Sequence, residues 1–128
     1  MSDVRRGKLL VIDDEVILGR SLARALRHHD VAILLRGDEG LAQLKAGELP
    51  DLVLCDLMMP GFSGMDLYRA LAVSRPEALE RLVFMTGGSF SDECDRFLEE
   101  NAVEVLNKPF EPRAVDALLA RVWGASGS

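Results

Sequence analysis

The sequence predicts an α/β fold in which helices cover both faces of a parallel sheet. Two observations carry this. Five short runs rich in Leu, Val and Ile are apolar throughout rather than alternating, as in strands buried on both faces. A segment with helical spacing of apolar residues follows each run, and strand–helix alternation of this kind closes through right-handed crossovers. A chain of 128 residues that is 48% hydrophobic is one domain by size and large enough for a real core.

The elements follow in order. Lys8 to Ile12 is the first strand. Val16 to His29 is a helix with Leu18, Leu22, Ala25 and Leu26 on its apolar stripe. Val31 to Leu35 is the second strand, and Asp38 to Ala46 a short helix with Leu41 and Leu44 inward, stopped near Gly47 and Pro50. Leu52 to Cys55 is the third strand, with Asp56 directly after it. Met58 to Gly64 is a loop marked by Pro60, Gly61 and Gly64, and Asp66 to Ser74 is helical. Arg81 to Met85 is the fourth strand, ending at Thr86. Gly87, Gly88 and Ser89 form a loop, with Gly87 to Asp92 expected to be mobile, and Ser91 to Asn101 is a helix. Val103 to Leu106 is the fifth strand. Pro112 opens the last helix, whose apolar face holds Leu118, Leu119 and Val122. The expected domain is a single one, residues 1–128, with its core over 7–123 and a loose tail over 124–128.

Composition narrows the function. A net charge of −6 argues against nucleic-acid binding by this chain, because phosphate contacts need clustered Lys and Arg. No apolar run approaches the roughly 18 residues that span a bilayer. Met1 to Lys8 is polar, unlike a signal peptide, so a cytoplasmic location is expected. The two cysteines lack metal-type spacing: Cys55 reads as a core residue and Cys94 as a helical one. Trp123 reads as packing for the last helix. The His28-His29 pair invites a phosphohistidine reading, but cations at a helix end complement its dipole, and the structural reading is preferred.

Polar groups at the strand ends carry the chemistry. Asp13-Asp14-Glu15 follows the first strand, Asp56 the third, Thr86 the fourth and Lys108-Pro109-Phe110 the fifth. A parallel sheet gathers the carboxyl ends of its strands on one edge, where open α/β folds bind ligands. Carboxylates brought that close disfavour joint ionisation, and a hard divalent cation relieves the conflict. Each patch alone has a plainer explanation in helix capping or turn chemistry. All four in this order, with Met59-Pro60-Gly61 and Gly64 between them, do not.

The constellation resembles the receiver domain of two-component response regulators over nearly the whole chain. The resemblance implies a doubly wound, five-stranded parallel sheet in the flavodoxin-like order 2-1-3-4-5. It implies that Asp56 is the phosphoacceptor, that Thr86 and Lys108 contact the phosphoryl oxygens, and that Asp13, Asp14, Asp56 and the Met58 carbonyl hold Mg²⁺, or Mn²⁺. It also implies a cis Lys108–Pro109 peptide bond and, as partner, a histidine kinase or histidine phosphotransfer protein. Such a domain is no enzyme beyond catalysing its own phosphorylation and slow dephosphorylation.

Three positions depart from the family pattern. Val105 stands where many receivers carry a switch aromatic that moves with the threonine. Met58 and Gly88 stand where other receivers place an acid or amide near the attacking water, and neither side chain bonds a water strongly, so dephosphorylation is expected to be slow. Met85-Thr86-Gly87-Gly88 together with Val105 looks like receivers attached to hybrid histidine kinases. Two alternatives stand beside this reading. One is a pseudo-receiver, an interaction module that takes no phosphate. The other is a haloacid-dehalogenase-like phosphatase, whose Asp-x-Asp pattern after the first strand does not fit the adjacent Asp13-Asp14. Neither the oligomeric state nor the downstream output is legible.

Overall fold

A computed structural model describes residues 6–88 and 91–126. Its elements are β1 (Lys8–Ile12), α1 (Val16–Ala25), β2 (Asp30–Leu34), α2 (Gly37–Ala46), β3 (Leu52–Asp56), α3 (Gly64–Ser74), β4 (Leu82–Thr86), α4 (Asp92–Glu100), β5 (Glu104–Asn107) and α5 (Pro112–Ser126). The five strands form one parallel sheet in the order β2-β1-β3-β4-β5, as expected for a flavodoxin-like fold.

The pleat sends alternate residues to opposite faces, and both faces are buried. Leu10, Ile12, Val53, Cys55, Leu82 and Phe84 face one core with Leu44 of α2, Leu67 and Leu71 of α3, and Phe97 of α4. Leu9, Val11, Leu52, Leu54, Val83 and Met85 face the other with Leu26, Val115, Leu118 and Leu119. This explains why the strand sequences show no polar alternation. β5, at the sheet edge, is only partly buried.

Several boundaries differ from the sequence reading. α1 ends at Ala25 rather than His29, because the Arg27 and His29 amides tighten onto the Arg24 and Leu26 carbonyls, three residues back, instead of continuing the four-residue ladder. Ala25, expected on the apolar stripe, is exposed, whereas Gly19 is buried. A Cβ at Gly19 would stand 3.3 Å from the Ile33 side chain, so glycine lets α1 lie close on β2. α3 starts at Gly64, two residues early, because Ser63 and Asp66 form a reciprocal capping box. A 3₁₀ turn, Pro76–Arg81, precedes β4 and takes up Arg81. α5 continues through Gly124 to Ser126, where a loose tail was expected. Part of the Gly87–Asp92 segment, residues 89 and 90, lies outside the described residues.

The chain order places β2 on one side of β1 and β3 on the other. A crevice opens at the carboxyl ends of β1 and β3, where connections leave in opposite directions.

Candidate functional site

Three carboxylates and one ammonium meet at that crevice. Asp13 leaves the end of β1 with its amide bound to the Leu34 carbonyl at 3.0 Å, and it is fully buried. Asp56 ends β3 and is 7% exposed. Its Oδ1 accepts the Met58 amide at 3.2 Å, which orients the carboxylate. Lys108, just past β5, brings its Nζ to 2.9 Å from Asp13 Oδ2, 3.5 Å from Asp56 Oδ2 and 3.8 Å from Glu15 Oε1. Its amide donates to the Thr86 carbonyl at 2.7 Å, which ties the lysine to the end of β4. Thr86 is buried, and its Oγ1 accepts the Gly88 amide at 3.2 Å. That leaves the hydroxyl proton to be donated elsewhere. The Lys108–Pro109 peptide bond is cis.

The charges are strongly coupled. Burial pushes the Asp56 carboxyl up to about 6; Lys108 opposes this and Asp13 adds to it. Burial alone would lower the Lys108 ammonium, but the Asp13 hydrogen bond and the charges of Asp56, Asp13 and Glu15 outweigh it and raise its pKa. At neutral pH the site therefore holds an ionised, unusually basic carboxylate beside a firmly charged lysine.

Gly64 closes the floor. A Cβ there would stand 2.7 Å from the Asp56 carbonyl oxygen and 3.0 Å from Leu57 Cα, so only glycine lets α3 pass so close beneath the carboxylate. Gly61 turns the preceding loop with a φ of 80°. Met58 leans out, 45% exposed. Val105 packs against the core that contains Phe84 and Phe97.

Glu15 joins the acidic group at the crevice. Ligand oxygens of Asp13, Glu15 and Asp56 lie within 4.8 Å of one another, and oxygen donors so arranged suit Mg²⁺. Asp14 is exposed and lines the adjoining cleft with Arg36, Asp38, Met59 and Phe62. The chain turns back at Asp13, whose Oδ1 accepts the Glu15 amide at 2.9 Å, and this brings Glu15 to the lysine. Glu15 was visible in the sequence as the third acid of the patch. Nothing in residue type alone distinguished it from a helix cap.

A second convergent group lies at the other end of the sheet. His29 is 4% exposed; its Nδ1 accepts the Gly7 amide at 2.9 Å and its Nε2 lies 2.7 Å from Asp116 Oδ1. His28 Nε2 is 3.2 Å from the same oxygen. Because Nδ1 accepts, the neutral ring carries its proton on Nε2 and donates it to Asp116. The pair is thus a clasp between the entry to β1 and α5, not the helix-dipole partner expected from the sequence. The donated proton also occupies the atom a metal would need. Cys55 and Cys94 are buried, and burial raises both thiols, which makes them poor nucleophiles. Trp123 packs against the core beneath α5.

Comparison with known proteins places this geometry. The response regulator receiver domain family matches residues 9–120. The chain belongs to that family. It is a receiver domain of the two-component response regulator type, not a haloacid-dehalogenase-like phosphatase. The DNA-binding response regulator MtrA of Mycobacterium tuberculosis is 36% identical over 123 residues, covering 94% of this chain and 50% of that protein. The aerobic respiration control sensor protein ArcB of Escherichia coli is 35% identical over 118 residues, covering 90% of this chain and 15% of that protein. The chain therefore spans about half the length of the MtrA proteins it matches. A receiver domain protein from Clostridium thermocellum superposes with a TM-score of 0.79 at 26% identity, covering 94% of this chain and 97% of that one. Vibrio cholerae chemotaxis protein CheY4 superposes at 0.73 and 23% identity, covering 92% and 99%, which supports the fold. No helix among the described residues is long and apolar enough to cross a membrane.

Proposed function

We propose that this receiver domain takes a phosphoryl group onto Asp56 from the phosphohistidine of a kinase or phosphotransfer protein and uses it as a switch. The observation that carries the reading is the buried Asp56 carboxylate, fixed by the Met58 amide and set 3.5 Å from Lys108. An Asp56 oxygen attacks phosphorus, the phosphorus–nitrogen bond of the donor breaks, and the electron pair returns to the imidazole nitrogen. Lys108, already poised among three carboxylates, pairs with a phosphoryl oxygen, and the Thr86 hydroxyl donates its free proton to another. Catalysis is then positioning and charge compensation.

Asp13 and Asp56 would hold Mg²⁺, with Asp14 and the Met58 carbonyl as the further oxygen donors the family implies. Once bound, the ion supplies charge neutralisation for the phosphoryl oxygens. Slow dephosphorylation follows from Met58 and Gly88, which offer no acid or amide to orient water. Output would differ from receivers with a switch aromatic, since Val105 has no ring to exchange. The domain would work in the cytoplasm, joined to a DNA-binding region as in MtrA or to a sensor protein as in ArcB.

Val105 favours a second reading, an interaction module that takes no phosphate. Beryllofluoride, a mimic of the acyl phosphate, separates the two. With Mg²⁺ it should raise the melting temperature and give a bound ¹⁹F resonance, both lost in Asp56→Asn. A folded parent that binds neither ion would favour the interaction module.

A further inference from the structure

Glu15 belongs to the acidic cluster, yet neither capping nor the phosphoryl step uses its side chain. It occupies the N-cap of α1 without making a side-chain cap hydrogen bond, although N-cap residues are chosen for that bond. Instead its carboxylate reaches 3.8 Å from Lys108 Nζ. Its side chain is 65% exposed, against 12% for Lys108 and 10% for Asp56. The Glu15 amide is anchored on Asp13, so the backbone that carries this charge is fixed. A negative charge thus stands at the solvent mouth of a site that every phosphodonor must enter.

We propose that Glu15 is a specificity-determining residue that selects phosphodonors by charge, disfavouring acyl phosphates relative to nitrogen–phosphorus donors. The inference rests on Asp56 being the phosphoacceptor. Near neutral pH acetyl phosphate is a dianion with no compensating positive charge, and transfer breaks its phosphorus–oxygen bond with the electron pair leaving on acetate. Phosphoramidate carries an ammonium on phosphorus and one net negative charge, and transfer breaks the phosphorus–nitrogen bond with ammonia leaving. A protonated phosphohistidine shares that positive nitrogen. A carboxylate at the mouth repels the first donor more than the second, and shields the domain from acyl phosphates that carry no signal.

The test compares second-order phosphorylation rates with acetyl phosphate and phosphoramidate at saturating Mg²⁺, for the parent, Glu15→Asp, Glu15→Gln and Glu15→Lys. The ratio of the two rates cancels any change in cation affinity or lysine position that affects both donors alike. One exposed charge near the donor should change the ratio by roughly two- to fivefold. The ratio of acetyl phosphate to phosphoramidate rate should rise in Glu15→Gln, rise further in Glu15→Lys and stay near the parent in Glu15→Asp. Added salt should shrink these differences. An unchanged ratio across the series would overturn the proposal even with Asp56 fully reactive. A folded parent phosphorylated by neither donor would instead overturn the phosphoacceptor reading, and this proposal with it.

Discussion

Asp56→Asn should stabilise the empty domain near neutral pH, because the ionised Asp56 carboxylate is held against its own burial. Its pKa is pushed from 3.8 to about 6 in the folded state. Between roughly pH 4 and 6 the folded form keeps a proton that the unfolded chain has lost, so stability falls as pH rises through that window and is level above it. At roughly 1.4 kcal/mol per pH unit, the full cost of ionisation would be about 3 kcal/mol. Water at the mouth of the site and adjustment of the Lys108 head reduce the usable figure to about 1–2 kcal/mol. Asparagine removes the charge and keeps an oxygen for the Met58 amide, while Lys108 keeps Asp13. Urea unfolding with chelator present should therefore show the variant about 1–2 kcal/mol more stable at pH 7.5, or about 3–8 °C higher in melting temperature. The gap should narrow toward pH 4.5. A variant no more stable than the parent at pH 7.5, with the same dependence on pH, would refute the reasoning.

Three further outcomes follow from the same geometry. Gly64→Ala should destabilise the domain by about 1–3 kcal/mol, since its Cβ meets backbone atoms of Asp56 and Leu57 that cannot swing aside; unchanged urea unfolding would mean that α3 moves freely away from β3. Lys108→Met removes the ammonium between Asp13 and Asp56, so the Asp56 carboxyl should titrate above its parent value of about 6 in carboxyl ¹³C NMR; a fall would show that the lysine does not compensate it. Phosphorylated protein without a phosphatase should lose its label slowly, and Met58→Asn should speed the loss by supplying a group that orients water. A parent half-life of seconds would contradict the assignment of Met58 and Gly88.

Much of this was legible because function here depends on strand ends. Runs such as Leu9 to Ile12 and Leu52 to Cys55 are apolar on both faces, which fixes a parallel sheet and, with it, the edge where Asp13, Asp56, Thr86 and Lys108 meet. Helix ends were less legible because they depend on local hydrogen bonds. The Ser63–Asp66 capping box moves the start of α3 to Gly64, and the turn at Leu26 ends α1 before the histidines. The role of His29 depends on Gly7 and Asp116, contacts that only the tertiary fold creates. That Glu15 reaches Asp13 and Asp56 likewise turns on where the chain bends after β1, which residue type does not specify.

Intact mass after incubation with acetyl phosphate and Mg²⁺, followed by borohydride trapping and peptide mapping, tests the central claim most directly. A single phosphoryl addition at Asp56, absent in Asp56→Asn and absent with chelator, is the predicted result. A folded protein that gains no phosphoryl group, or gains it at another residue, would contradict the account.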